Sequence, residues 1–338
     1  MRVCKARLQN LATRLLEDHG APSEIAGLQA AILIEAELRD LPSHGLMRLP
    51  RLLERINNGM ADPAASGLHF WRGSSLLEVD GQRALGPVAM MSALETMLPR
   101  LQATGITLAA IRNANHIGML AYYAEQAAAR NAISIVLSTS EALVHPFGGT
   151  RAMLGTNPIA IGIPTSDQPF VLDLATSLVS MGKVHSHALR GEPLSNGWAV
   201  DSSGHPTLNA EAAKHGAIAP FGEAKGYGLG LAVELLVAAL AGSQLAPEIH
   251  GTLDATEPAN KGDLLILIDP GASNGVAARL SNYLNAIRAS RPLYPGRPVA
   301  VPGDGTRKRR EAALRDGINI PTTLLDELQR LDDKQERI

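Results

Sequence analysis

Across 338 residues there is a single cysteine, Cys4, and aromatic residues make up only 3 % of the chain. One thiol closes no intramolecular disulfide and builds no cysteine metal site, which points to a reducing compartment and, by default, to the cytoplasm. With so few rings, the core has to be filled by Leu, Val, Ile and Met and by close helix contacts at Ala and Gly. An excess of either charge is also missing. Thirty-one Lys and Arg against 33 Asp and Glu leave a formal charge of −2, so nothing drives the chain toward nucleic acid or an anionic membrane surface. The partner expected is a small molecule.

Long apolar runs are absent too. The greasiest stretch, Gly226 to Gly242, is short for a membrane span and carries Glu234 in its middle, which makes it a buried helix. Met1 to Gly20 has scattered charges and reads as a helix, not as a secretory signal. No G-x-G-x-x-G follows a strand, so the usual doubly wound dinucleotide fold is not indicated. Gly226-Tyr227-Gly228-Leu229-Gly230 has the wrong spacing, and its glycines fit close helix packing. A P-loop, a zinc-binding H-E-x-x-H helix and a G-x-S-x-G elbow are missing as well.

What is present is a mixed α/β pattern. Leu8, Leu11 and Leu15 recur at helical spacing, Pro22-Ser23 start a second helix, and Leu46 to Ile56 form a third. Seven β-rich runs follow at 76–79, 105–111, 132–137, 158–163, 170–174, 198–200 and 264–268. Helical patterns lie at 86–103, 120–130, 226–240, 276–287 and 307–315. The organisation expected is a helical region 1–60 packing with C-terminal helices in 276–338, around a sheet-containing region 61–275. The basic run Arg307-Lys308-Arg309-Arg310 reads as a solvated helix face.

Two histidine clusters stand out from this greasy background: Ser43-His44-Gly45 with Arg48 four residues on, and Asn113-Ala114-Asn115-His116-Ile117-Gly118. They look like two halves of one active site. At His44 two readings stand side by side: an imidazole beside helix amides where an anion can sit, or a spectator next to a capping Ser43. Arg48, on the same face, favours the first, because its planar fork suits a carboxylate. His116 lies between a strand and a helix, and its residues alone are equally those of a turn histidine bonded to backbone. His185 and His187 alternate along a possible strand but lack a nearby carboxylate, so no metal site is expected.

These segments, together with Gly148-Gly149-Thr150, Leu154-Gly155-Thr156-Asn157-Pro158, Asp173-Leu174-Ala175-Thr176-Ser177, Gly182-Lys183, Ala224-Lys225-Gly226-Tyr227-Gly228 and Pro302-Gly303-Asp304, resemble in order and spacing the malate/L-lactate dehydrogenase family of non-Rossmann oxidoreductases. That family includes ureidoglycolate, sulfolactate and diketogulonate dehydrogenases and cyclic-imine reductases. The resemblance implies a mainly antiparallel central sheet with flanking helices, and hydride transfer between NAD or NADP and a small 2-oxo or 2-hydroxy acid. It implies that His44 donates the proton, that Ser43 orients it, and that Arg48, Thr156, Gly182 and Lys183 line the substrate site. Contacts to the cofactor would come from His116, Ile117, Gly118, Met119 and Leu120, from Leu174, Ala175 and Thr176, from Lys225 and Gly226, and from Pro302, Gly303, Asp304 and Thr306. A homodimer is implied as well.

Some residues depart from the family pattern. Lys183 stands where imine-reducing members carry an aspartate that supports the histidine, and Asp304 replaces the usual glutamate of the Pro-Gly-Glu motif. Glu223 stands where glycine is common. The alternatives to a 2-oxo-acid reductase are a reductase of a cyclic 2-imino acid and, from another class, an inactive nucleotide-binding protein.

Overall fold

The computed structural model describes residues 1–271 and 275–335; residues 272–274 and 336–338, inside two of the expected regions, lie outside the described residues. After a two-residue strand β1 (Arg2–Val3) come α1 (Lys5–Asp18), α2 (Ser23–Leu38) and α3 (Leu49–Asn57). Leu8, Leu15 and Leu16 of α1 bury themselves against Ala26, Ala30 and Ile34 of α2, as their helical spacing requires. The third helix begins later than its apolar pattern, because Leu46–Arg48 forms a separate 3₁₀ turn.

A hairpin of β2 (Leu68–Arg72) and β3 (Leu76–Asp80) leads through α4 (Gly86–Thr104) to β4 (Ile106–Arg112), and α5 (Leu120–Ala129) then leads to β5 (Ile133–Ser138). β6 (Ile159–Ile163) and β7 (Phe170–Leu174) follow. A small lobe comprises α6 (Met181–Arg190), β8 (Ala199–Val200), α7 (Ala210–Ala213) and β9 (Ala217–Ile218), and after it come α8 (Ala224–Ala241) and β10 (Gly262–Ile268). The sheet order is β2-β3-β4-β10-β5-β6-β7, antiparallel throughout except for the parallel pair β3 and β4. This is the non-Rossmann, mainly antiparallel architecture expected. The run at 198–200 is the one expected strand that lies outside this sheet; it pairs with β9 instead.

Beyond β10 the chain forms α9 (Val276–Ala289), α10 (Asp304–Asp316), β11 (Ile318–Asn319) and α11 (Thr322–Gln335). β11 pairs antiparallel with β1, and Leu324, Leu325 and Leu328 of α11 join the cluster built by α1 to α3. Helix α9 instead meets the turn after β6, where Ser166 donates to Ser281 at 2.9 Å. The basic run is less free than its sequence implies. Arg307 binds Asp304 and the Pro169 carbonyl, Arg309 donates to the Arg39 carbonyl, and Arg310 grips Glu35 with two bonds.

Helices cover both faces of the sheet. α4 and α5 pack Met90, Leu94, Met97, Tyr123 and Ala127 against Val79, Ile111, Val136 and Leu265, while α8 packs Val233, Val237 and Ala241 against Ala110, Leu137 and Leu264. By length and composition α8 could cross a membrane; here it buries one face on the sheet and leaves Leu235 and Leu236 exposed. It is therefore a half-buried helix, less enclosed than its composition predicts. Glu234, 3 % exposed, accepts from Asn157 Nδ2 at 2.5 Å, from the Ala246 amide at 2.6 Å and from the Gly155 amide at 3.4 Å. That carboxylate ties the Gly155–Asn157 loop to α8. Replacing it by leucine strands three buried donors, so Glu234→Leu should lower unfolding stability by roughly 2–4 kcal/mol, seen as a lower midpoint in urea at unchanged slope; a loss under about 1 kcal/mol would mean that the loop is held by other contacts.

Candidate active site

Pro42 opens a 3₁₀ turn, Pro42–His44, and Gly45 separates it from the turn Leu46–Arg48. Two tight turns in succession fold the loop back on itself. Ser43 Oγ lies 3.0 Å from Nδ1 of His44, and Arg48 donates through Nε to the Ser43 carbonyl at 2.8 Å and through Nη1 to the Thr252 carbonyl at 3.0 Å. With Ser43 donating to Nδ1, the remaining ring proton of His44 belongs on Nε2. The Arg48 fork is thus fixed by carbonyls, with further N–H donors left for an anion.

His116 comes to the same place from the turn between β4 and α5. Its ring centroid is 5.6 Å from that of His44, and its Nδ1 accepts the Gly118 amide at 3.1 Å. A backbone amide can only donate, so His116 is neutral with its proton on Nε2. Burial, with the nearby Arg48, lowers the His44 pKa to about 4; burial, Arg48, His44 and Lys261 lower that of His116 as well. Tyr123 OH donates to the Ile117 carbonyl and pins the turn from below. The two halves read from sequence are therefore one constellation.

The remaining expected residues fall into three groups. Thr176 donates its amide and hydroxyl to the Thr156 carbonyl at 2.8 and 3.0 Å, and its own carbonyl accepts the Phe221 amide. A Cβ on Gly226 would lie 1.9 Å from the Phe221 carbonyl oxygen, so glycine lets α8 begin, with Lys225, against this strand end. Thus Thr156, Leu174 to Thr176 and Lys225-Gly226 converge. The Asp173 carboxylate joins them to the His116 turn by accepting the amides of Ala121 and Leu120 at the start of α5.

Gly182 also reaches the catalytic loop, because a Cβ built on it would meet Ser43 Cβ at 3.4 Å. Lys183, next to it, holds its ammonium 4.5 Å from the Trp198 ring centroid. It thus makes a cation–π contact, and the partner of His44 is Ser43. His185 and His187 sit on helix α6, not on a strand, and His187 packs edge-on against Trp198. Among the described residues no three His, Cys, Asp or Glu side chains converge as metal ligands.

The segment Pro302 to Thr306 is not brought to the histidines. It docks at the start of β7, where Gly303 approaches the Val171 carbonyl and Arg307 binds that of Pro169. That is the end of β7 opposite Leu174, roughly 10 Å away at the rise of three strand residues. Asp304 is engaged by Arg288, Arg307 and the Val301 amide, which hold its carboxyl far below the usual range.

A dinucleotide fits this arrangement. The buried Ser177 hydroxyl, next to Thr176, has no hydrogen-bond partner, and Lys225 is exposed. Sequence reasoning left Glu37, Glu141, Ser140 and Thr252 without a role. Glu141 receives the Thr252 and Leu253 amides at 2.7 and 3.0 Å and so sets the carbonyl that anchors Arg48. No local motif marks Thr252, since its role arises from a contact 204 residues away in the chain.

The electrostatics predict how His44 titrates. An unfolded chain takes up this proton near pH 6.5 and the folded one near 4, so the protein loses stability as pH falls through that interval. An anion on Arg48 offsets the cationic field and should raise the His44 pKa. Histidine NMR with and without oxamate, a non-reacting 2-oxo acid analogue, checks this; an identical His44 titration in both would separate Arg48 from the anion site.

Comparison with known proteins places this geometry. Residues 3–329 match the family model described as malate/L-lactate dehydrogenase. A dehydrogenase from Sinorhizobium meliloti superposes with a TM-score of 0.95 at 61 % identity, covering 98 % of both chains. The sulfolactate dehydrogenase of Methanocaldococcus jannaschii superposes at 0.93 with 31 % identity, over 99 % of this chain and 98 % of that one. A pyrroline-2-carboxylate and piperideine-2-carboxylate reductase of Pseudomonas aeruginosa is 31 % identical over 333 residues, 97 % of this chain and 98 % of its own. With a family match over nearly its whole length and the non-Rossmann sheet to support it, the chain belongs to the malate/L-lactate dehydrogenase family.

Proposed function

We propose that the protein is an NAD(P)H-dependent reductase of small 2-oxo acids, acting in reverse as a 2-hydroxy-acid dehydrogenase, with His44 as the proton donor and Arg48 as the carboxylate clamp. The observation that carries this reading is the pairing of a half-buried Arg48 fork with two neutral imidazoles, His44 and His116, in one place. When bound, the nicotinamide supplies or takes up the hydride. Arg48 holds the C1 carboxylate, and the neighbouring carbonyl oxygen then lies toward the histidines. As negative charge develops on that oxygen, His116 Nε2–H stabilises it and His44, protonated to the imidazolium once the carboxylate is bound, gives it a proton and returns to the neutral ring; in the oxidative direction the neutral His44 takes the proton back. His44 is neutral in the free protein, and the incoming carboxylate raises its affinity for the proton it must deliver. His116 to Leu120, Leu174 to Thr176, Lys225 and Gly226 would hold the cofactor, with Pro302 to Thr306 toward its far end.

His44→Asn should leave cofactor binding intact while turnover falls by roughly 10²–10⁴-fold, and Arg48→Lys should lose affinity for 2-oxo acids because a point charge replaces a fork. Steady-state kinetics on pyruvate, oxaloacetate and sulfopyruvate, with a cyclic 2-imino acid alongside, checks both substitutions and separates the two substrate classes. Near-normal turnover in His44→Asn sinks the proton-donor assignment. Cofactor binding without turnover on any of these compounds would favour the inactive nucleotide-binding alternative.

The same reading includes a homodimer in a reducing, cytoplasmic setting, supported by the lone Cys4 and by an apolar face. Leu235 and Leu236 on α8 are exposed, and Leu68 and Phe70 on β2 line a groove with Ala239 and Leu240. A second copy of this chain, whose net charge of −2 gives little repulsion between copies, is the occupant that face favours. Light scattering should give twice the chain mass, and Leu235→Glu with Leu236→Glu should return it to one; a monomeric parent overturns the dimer.

A further inference from the structure

Beneath the Ser43–Arg48 loop lies a carboxyl group that the proposed chemistry does not use. Glu37, in the last turn of α2, is 7 % exposed, and its Oε1 accepts the Leu46 amide at 2.6 Å. A Cβ built on Gly45 would lie 2.2 Å from that oxygen and 2.6 Å from Cδ. Gly45 has φ −99°, outside the left-handed region, so what demands a missing side chain there is the Glu37 carboxyl group. The glycine of Ser43-His44-Gly45 is thus the imprint of a residue eight positions earlier.

We propose that Glu37 is a positioning residue for the proton-transfer loop: it fixes the Gly45–Leu46 peptide so that His44 on one side and Arg48 on the other face the same substrate. This rests on the roles given to His44 and Arg48 above. The peptide it holds is the hinge between the two 3₁₀ turns, and a shift there moves the imidazole and the guanidinium relative to each other. Asp40, near the end of the same helix, is the charged group acting on Glu37; Glu35 and Arg39 turn away toward Arg310 and Glu125. Burial, reinforced by Asp40 and opposed by the Leu46 amide, raises the Glu37 pKa to about 7. The ionised carboxylate is the stronger acceptor, so the loop tightens as pH rises through neutrality. His44 titrates far lower in the free protein, so an inflection near pH 7 in kcat/KM, which reports the free protein, is not its own.

The test uses the full chain with NADH or NADPH and the 2-oxo acid on which it turns over fastest. Glu37→Ala should lower kcat by roughly 10–100-fold while cofactor affinity, read by fluorescence titration, changes little. Glu37→Gln, which keeps the shape and an acceptor oxygen, should recover most of that loss but lack the inflection near pH 7. Gly45→Ala alone should be impaired beyond Glu37→Ala, and adding Glu37→Ala should raise it to the level of Glu37→Ala alone by removing the clash. Unaltered kcat and pH profile in Glu37→Ala, a persistent inflection in Glu37→Gln, or no rescue of Gly45→Ala overturns the proposal. His44→Asn distinguishes the failures. If it retains turnover, the underlying proton-donor reading falls; if it is inactive while Glu37→Ala is unaffected, only the positioning role falls.

Discussion

One strand, β10, joins two halves of the sheet that otherwise share no edge. From Gly262 to Ile268 it pairs with β4, and from Asp263 to Ile268 with β5, antiparallel to both. β4 and β5 consequently run parallel to each other with a strand between them, and a connection of that kind needs a crossing helix. That helix is α5, and the His116 turn is the first leg of the crossing. The loop that precedes β10 supplies the Thr252 carbonyl to Arg48. Both walls of the cleft are therefore set by a segment entering the sheet late in the chain. At its start, Lys261 and Asp263 form a fully buried pair, with Ser138 donating to Asp263 at 2.6 Å, and the charge of Lys261 reaches His116.

The cleft is arranged for an anion, not for a charged acid. Arg48 gives its bonds to carbonyl groups, and Glu141, the carboxylate acting on it, is bound by the Thr252 and Leu253 amides. A half-buried guanidinium whose bonds go to carbonyl groups has donors left for an anion such as the proposed substrate carboxylate. Burial first, and the Arg48 charge second, keep both imidazoles unprotonated in the free protein. In the proposed function, an anion at Arg48 and protonation of His44 are thus two aspects of a single charge balance.

Much of this was legible in the sequence because it depends on local pattern. The apolar runs of β4, β5 and β10 are largely buried strands and those of β6 and β7 partly buried ones, and the polar, Pro- and Gly-flanked His44 segment is a loop. What was not legible arises from tertiary approach or from conflicting local signals. β2 was missed because it is an edge strand whose Leu68, Phe70 and Arg72 are exposed. The alternation of His185 and His187 mimics a strand, yet Val184 is the buried anchor that holds α6 as a helix on the small lobe. Asp173, Glu37 and Thr252 act on groups far along the chain or across a turn, and no spacing announces them.

The two tryptophans sit in unlike surroundings. Trp71 lies on the outer strand β2 beneath the Arg100 guanidinium, 4.2 Å from its ring centroid, while Trp198 is flanked by Lys183 and His187 on α6. The first turn of α6 touches Ser43. Intrinsic emission thus has one source fixed to the sheet rim and another mechanically linked to the reaction centre. With Trp71 replaced by Phe, the remaining indole becomes an unlabelled optical reporter of how the small lobe moves against the catalytic loop during turnover.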